Sequence, residues 1–288
     1  MTRFTKVHGN GNDFIVIDNR EGRHSAEDLS RFARRLCRRK FSIGADGLLV
    51  VEKSNESTDM DFVMRLFNAD GSEAEMCGNG ARALARYAFE KKLAGEDMCF
   101  TTLAGPIRAR VEPPYAELDM GDISLAESFS QGTLRFRDLE FPFFFLTVGV
   151  PHCVLFLKDY DALDTALKAE AGRAISHDSE RFPEGSNVSF AERLPGDEIR
   201  MVTYERGVEE LTESCGTGCV AASVLAFVSE SDSVPCAGGL SRRFRVHNPG
   251  GVNEVRLSFA PDGRACHAWL KGRTSLVAEG EILEDAWL

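Results

Sequence analysis

Residues 75–89 read EMCGNGARALARYAF, and residues 213–227 read ESCGTGCVAASVLAF. In both stretches a Glu stands two residues before a Cys, Cys-Gly-x-Gly follows, and a helix-like run ends in Ala-Phe. The strand-like and helix-like segments around the two stretches also come in the same order. An internal repeat of this size predicts two domains of one fold.

The periodicity around each copy predicts an α/β (α+β) protein. Residues 26–39 and 165–178 have apolar positions at helical spacing, and Ser25 is suited to cap the first of these helices. Predicted strands are 14–18, 47–52, 61–68, 98–102, 107–112 and 116–121, then two within 143–157, and 186–192, 198–205, 243–248, 253–260, 267–272 and 274–283. We place residues 1–117 and 277–288 in an N-terminal domain and residues 118–276 in a C-terminal domain.

Composition limits the class of protein. The chain has 288 residues, 43% hydrophobic and 27% charged, which is typical of a globular protein. Its net charge of −11 gives no attraction to nucleic acid or to anionic lipid. No signal peptide is recognisable and no apolar run reaches 18 residues, so we expect a cytoplasmic protein that acts on a small molecule.

The chain carries eight cysteines, which we expect to be reduced. Most of them, such as Cys99 and Cys153 in strand-like patterns, are expected to be small buried apolar residues. Cys215 and Cys219 stand four apart, but no second pair and no nearby His completes a tetrahedral set, so no metal is predicted.

The repeated Cys-Gly-x-Gly is suited to acid–base chemistry when it opens a helix. The first N–H groups of a helix are unpaired and carry its positive dipole end, and glycines let an anion approach them. A Cys at this place should have a pKa below its free value. The alternative is a glycine-rich turn with a buried Cys. Two matched copies favour a cleft in which Cys77 and Cys215 face opposite sides of one carbon.

Five segments resemble the signatures of the diaminopimelate epimerase family, from residue 6 to residue 223 in the family's order. They are KVHGNGNDFIVID (6–18), FNADGSEAEMCGNGAR (67–82), VGVPHCV (148–154), SNVSF (186–190) and YERGVEELTESCGTGCVAAS (204–223). The resemblance implies two pseudo-symmetric domains, each a mixed barrel-like sheet around a central helix, with the active site between them.

The family's activity is the interconversion of LL- and meso-2,6-diaminopimelate, for lysine and peptidoglycan precursor synthesis. The resemblance implies that Cys77 and Cys215 are the acid/base pair, one as thiolate and one as thiol. It further implies a homodimer that uses neither pyridoxal phosphate nor a metal, and His152 and Glu205 as groups that tune the thiols. The implied substrate-binding residues are Asn12, Asn68, Gly78, Asn79, Asn187, Glu205, Arg206, Gly216 and Thr217.

Other interpretations of these residues stay open. Without the resemblance, a His after Pro and Asn residues in NAD or SNV are typical of turns, and Asp13 and Asp70 are interpreted as turn acids. Val150 stands where many members of the family have Asn, and Gly47 stands where some members have Gln. Contacts to the distal end of the substrate can therefore differ in this chain.

Three alternative functions are compatible with two thiols or with this fold. A proline or hydroxyproline racemase of the same architecture typically has Gly-His after the first Cys, whereas here it is Gly-Asn. A thiol redox switch could join Cys77 and Cys215 but does not need the Asn and Arg set. A binding module without catalysis would not need two thiols.

Overall fold

The computed structural model describes residues 2–54, 59–229 and 240–287. The chain forms two compact units, Met1–Asp119 with Lys271–Leu288, and Met120–Leu270. The units therefore divide after residues 119 and 270, whereas the sequence predicts divisions after residues 117 and 276. Residues 1, 55–58, 230–239 and 288, which include Cys236, lie outside the described part. Within that part, no helix is long and apolar enough to span a bilayer.

The elements of the first half are β1 (Thr2–Gly9), β2 (Asn12–Asp18), α1 (Ala26–Leu36), β3 (Gly47–Glu52), β4 (Phe62–Asn68), β5 (Glu73–Ala74), α2 (Gly78–Glu90), β6 (Asp97–Thr102), β7 (Gly105–Glu112) and β8 (Tyr115–Ser124). Those of the second half are α3 (Leu125–Ser128), β9 (Ser130–Phe136), β10 (Leu139–Val148), β11 (Val150–Phe156), α4 (Thr165–Ser176), β12 (Asn187–Leu194), β13 (Glu198–Glu205), β14 (Glu210–Thr212), α5 (Gly216–Val228), β15 (Ser241–Asn248), β16 (Gly251–Phe259), β17 (Ala265–Ile282) and a 3₁₀ helix (Glu284–Trp287).

The first unit contains a closed barrel of eight strands. The strands pair in the order β1, β2, β3, β4, β6, β7, β8 and β17, and β17 returns to β1. The pairs β2/β3 and β4/β6 are parallel. The helix α2 packs against β1, β2, β4 and β7, and α1 packs against β3 and β4. Ser25 caps α1 in a capping box with Asp28, as the sequence predicts for the cap.

The second unit repeats this pairing pattern. Its strands pair in the order β9, β10, β11, β12, β13, β15 and β16, with β11/β12 and β13/β15 parallel. The helix α5 is buried along its length except at Thr217 and packs against six of these strands. The short β14 adds to β13 as β5 adds to β4. The predicted fold class, mixed sheets around a central helix in two similar halves, is therefore confirmed.

Candidate active site

Each central helix begins immediately after a cysteine. Cys77 is the N-cap of α2 and Cys215 is the N-cap of α5, both in extended backbone conformation. Each N-cap carbonyl accepts the first helical hydrogen bond, from Ala81 at 2.8 Å and from Cys219 at 3.0 Å. The sulfur atoms therefore stand beside the first turn, where helix N–H groups point outward, as the repeated motif predicts.

Close packing around this turn leaves little room for a side chain at the last glycine of each motif. A Cβ on Gly218 would stand 3.2 Å from both Sγ of Cys215 and Oγ1 of Thr203. A Cβ on Gly80, the matching position in α2, would stand 3.3 Å from the side chain of Phe14. A Cβ on Gly9 would stand 2.8 Å from the backbone oxygen of Asn79. The start of each helix is thus held tightly by its surroundings.

The half-buried Cys77 is joined to Asn12, since its Sγ donates to Oδ1 of Asn12 at 3.4 Å. Asn12 Nδ2 in turn donates to Oδ2 of Asp46 at 2.7 Å. Asn79 follows Cys77 by two residues, is buried, and its Oδ1 accepts from Nη2 of the buried Arg82 at 2.6 Å. The predicted Asn12, Gly78 and Asn79 thus lie at the Cys77 end of α2.

Asn68 lies at the end of β4, where its amide holds a turn by donating to Oγ of Ser72 at 3.0 Å. In the strand ladder it is opposite Gly47, which itself is opposite Phe14. A Cβ on Gly47 would stand 2.8 Å from the backbone oxygen of Phe67, so a larger residue there would require this strand end to shift.

The two acids interpreted as turn residues have different surroundings. Asp70 is a turn acid, because its Oδ1 accepts from both the backbone N–H and the hydroxyl of Ser72. Asp13 instead lies in β2 and is ion-paired with Lys6 at 2.6 Å and with Arg39 at 2.5 Å. The turn interpretation of Asp13 was therefore wrong.

Cys215 is buried beside a carboxylate. The carboxylate of Glu205 lies near enough to the thiol for the two groups to shift each other's pKa, and it accepts from Oγ1 of Thr212 at 2.7 Å. The Oγ1 of Thr217 lies 3.6 Å from the sulfur. The predicted Glu205, Gly216 and Thr217 are thus brought together around Cys215.

Burial raises the pKa of the Cys215 thiol well above its usual value, and the charge of Glu205 raises it further. Hydrogen bonds from Thr217 and the Gly218 amide lower it by less. Burial also raises the pKa of Glu205. For Cys215 the expected low pKa is therefore wrong. A helix end contributes only about 0.3–1 kcal/mol, less than the desolvation of a buried charge.

Asn187 and Arg206 meet through the backbone, since the N–H of Arg206 donates to Oδ1 of Asn187 at 2.8 Å. The guanidinium of Arg206 bonds the carbonyl oxygen of Glu184. Guanidinium has five N–H donors in all, so one carbonyl does not exhaust its capacity to bind an anion.

His152 is fully buried and lies opposite Asn187 in the register of the parallel strands β11 and β12. Neither ring nitrogen of His152 bonds to any residue in the described part of the chain. Burial lowers the pKa of His152 to about 3, with a smaller contribution from the positive charge of Arg206. His152 is therefore a neutral imidazole at physiological pH.

The neutral His152 predicts a loss of stability in acid. The unfolded imidazole has a pKa of about 6.5, so between about pH 6.5 and pH 3 the unfolded chain binds one more proton. The contribution of the neutral His152 to the free energy of unfolding is therefore complete above about pH 6.5 and is lost as the pH falls toward 3. We expect Tm to fall less between pH 7 and pH 5 in His152→Gln than in the wild type. The same substitution at the exposed His177 provides the control. An equal fall in Tm between pH 7 and pH 5 in the wild type and in His152→Gln would contradict the prediction.

Several contacts of the site had no counterpart among the predicted residues. Asp46 holds Asn12, and Thr212 holds Glu205. The sulfur of Cys219 accepts from the amides of Asn248 at 3.3 Å and Asn253 at 3.4 Å. Across residues 2–54, 59–229 and 240–287, no three His, Cys, Asp or Glu side chains stand close enough together to hold a metal ion.

The family model described as Diaminopimelate epimerase matches residues 4–126 and 144–267. A diaminopimelate epimerase of Archaeoglobus fulgidus is 42% identical over 234 residues, covering 77% of this chain and 80% of the relative. One from Methanothrix thermoacetophila is 39% identical over 296 residues, covering 98% of this chain and 96% of the relative.

Solved structures share the fold at low identity. A probable proline racemase from Agrobacterium radiobacter K84 superposes with a TM-score of 0.69 and 17% identity, covering 99% of this chain and 93% of that one. A Bacillus anthracis phenazine biosynthesis protein of the PhzF family gives a TM-score of 0.71 at 15% identity, covering 98% and 99%. At these identities the likeness concerns the fold alone.

Proposed function

Because the chain belongs to the diaminopimelate epimerase family, we propose that it is an isomerase that interconverts LL- and meso-2,6-diaminopimelate by a two-thiol proton transfer. The observation that carries this proposal is the duplicated cysteine N-cap, in which Cys77 and Cys215 each open a central helix. Each sulfur has a polar side chain beside it, Asn12 in one half and Glu205 in the other.

The proposed reaction exchanges one proton on each side of the α-carbon. A thiolate removes the α-proton, and the electrons of the broken C–H bond remain on the carbon. The other thiol gives its proton to the opposite face, and its S–H bond electrons remain on sulfur as the new thiolate. After one turnover the protonation states of Cys77 and Cys215 are exchanged.

The carbanion requires electrostatic stabilisation, because general-base catalysis alone contributes only about 10²–10⁴-fold. We assign this role to the first N–H groups of α2 and α5, at Gly78 and Asn79 and at Gly216 and Thr217. Bound to the substrate's α-carboxylate, these groups stabilise the charge that spreads from the α-carbon onto its oxygens.

Glu205 provides a way to generate the base. The carboxylate of Glu205 stands beside the Cys215 thiol, and burial raises the pKa of both groups. Transfer of the proton from sulfur to the carboxylate leaves a thiolate beside a neutral acid. His152, which is neutral and buried, can act in the same region only as a hydrogen-bonding or neutral group.

Arg206 and the amides suit a ligand that carries two carboxylates and two ammonium groups. Arg pairs with a carboxylate in bidentate fashion, and amide oxygens accept from ammonium. We assign Arg206, Asn187, Asn12 and Asn68 to these contacts. The proposal includes a role in lysine and peptidoglycan precursor synthesis, a cytoplasmic location and a homodimer.

The proposal predicts that the reduced protein exchanges the α-hydrogen of diaminopimelate with solvent deuterium. The exchange is measured by mass spectrometry in D₂O with thiol reductant present, and proline and hydroxyproline serve as matched substrates. Exchange with proline or hydroxyproline alone would assign the chain to the racemases that share its fold. Absence of exchange with all three substrates would reject the thiol mechanism and leave a redox or binding role.

A further inference from the structure

The amide next to Cys77 has its orientation fixed by a carboxylate. The Oδ2 atom of Asp46 lies 2.7 Å from one end of the Asn12 amide, and the Cys77 sulfur lies 3.4 Å from the other end. An ionised carboxylate can only accept hydrogen bonds. The end that faces Asp46 must therefore be the nitrogen, and the end that faces Cys77 must be the carbonyl oxygen.

Asp46 is itself held from several sides. Its Oδ1 accepts from Nη2 of Arg39 at 2.8 Å, and its Oδ2 also accepts from the backbone N–H of Asp13 at 3.1 Å. The backbone N–H of Asp46 donates to the backbone oxygen of Asp13 at 2.9 Å. The carboxylate of Asp13 is bonded to Arg39 at 2.5 Å and to Lys6 at 2.6 Å. The position of Asp46 is thus set by one charged neighbour, Arg39, and by two hydrogen bonds with the backbone of Asp13.

We propose that Asp46 is a positioning residue for Cys77: it locks the Asn12 amide so that a carbonyl oxygen accepts from the thiol, and so holds the proton on this sulfur. The inference rests on the proposed function only in that Cys77 is the reacting group. The two thiols are then unequal, because Cys77 donates to a neutral amide, whereas Cys215 stands beside a carboxylate that can take its proton.

The charged and titratable groups around Asn12 come from two strands of the unit and from the segment between α1 and β3. Lys6 and His8 belong to β1, Asp13 to β2, Arg39 follows α1 and Asp46 precedes β3. The first turn of α2 carries no acid. Burial would raise the pKa of Asp13, but hydrogen bonds from Arg39 and Lys6 bring it below its usual value. This salt-bridged cluster keeps the arrangement in place at neutral pH.

The test measures the pH dependence of Cys77 alkylation by iodoacetamide, which reacts with the thiolate. Cys77 is the single cysteine of tryptic peptide 66–82, so mass spectrometry follows it alone. In Asp46→Asn the Asn12 amide can turn its nitrogen toward the sulfur, which favours the thiolate, and one negative charge is lost. We expect the midpoint of the alkylation profile to fall by about one pH unit. Asp18→Asn, which removes an exposed partner of Arg20, is the charge-matched control and should leave it unchanged.

A double-mutant cycle separates orientation from charge. In an Asn12→Ala background no amide links Asp46 to the sulfur, so Asp46→Asn should have little further effect. A shift of the same size in that background, or none in the wild-type background, overturns the proposal. Asn12→Ala alone should also lower the midpoint, which keeps the test available where Asp46→Asn does not fold. Alkylation needs no turnover, so a shift in a protein inactive on diaminopimelate would reject the proposed function and leave this inference standing.

Discussion

Replacement of either Cys77 or Cys215 by alanine is expected to abolish epimerisation. Each sulfur is the only group proposed to move a proton on its face of the α-carbon, so loss of one removes a full proton-transfer step. General acid–base groups contribute about 10²–10⁴-fold each, and we expect a decrease in kcat of at least about 10³-fold in either variant. The measurement is the rate of conversion of LL- to meso-diaminopimelate under reducing conditions.

The matched control for the thiol variants is Cys266→Ala. Cys266 is buried in the core around α5, and burial raises its pKa to about 12. The Cys266→Ala variant should lose a little stability and keep its activity, whereas the Cys77 and Cys215 variants should have a Tm close to that of the wild type. A Cys77 or Cys215 variant that retains a substantial fraction of wild-type turnover would refute the two-base mechanism.

The place of each thiol at the start of a helix was predictable from sequence, because helix starts depend on residues that are close together along the chain. A Cys followed by Gly-x-Gly and an Ala-rich run indicates a helix start, and both helices begin one residue after the Cys. Ser25 and Asp28 form the capping box that their spacing favours. Such features need only neighbours within a few residues along the chain.

Elements with weak burial signals were missed. In β9 the one buried residue is Leu134, so no alternation of apolar residues marks it as a strand. In β1 buried positions alternate with Lys6 and His8, and the strand forms because it pairs with both β2 and β17. β17 was predicted as two strands interrupted near Gly272, but the backbone continues through that glycine as one strand.

The contacts that orient the site could not be predicted for a different reason. Asp46 meets Asn12 across 34 residues of sequence because β2 and β3 are parallel neighbours that begin at the same sheet end. Cys215 had a predicted low pKa because the helix end is visible in sequence. Its burial and the approach of Glu205, both results of tertiary packing, decide the opposite direction.

Replacement of Glu205 by glutamine is expected to separate thiolate population from turnover. Glutamine keeps the size of the side chain and can still accept from Thr212, but it carries no charge and takes no proton from Cys215. Without the neighbouring negative charge the pKa of Cys215 should fall, so ultraviolet thiolate absorbance should develop at lower pH. Turnover should nevertheless decrease by about 10²–10⁴-fold, because the acceptor for the Cys215 proton is gone.

Glu210 is the appropriate control for this variant, since it stands opposite Glu205 in the β13/β14 ladder and is exposed. Glu210→Gln should keep both the absorbance profile and kcat. If Glu205→Gln gained thiolate and kept wild-type turnover, the carboxylate would act only as a charge that raises the pKa of Cys215. If Glu205 acted only as a negative charge that disfavours the thiolate, its removal should make the reaction faster. A decrease in kcat together with a lower pKa of Cys215 in Glu205→Gln therefore indicates that Glu205 accepts the proton of Cys215.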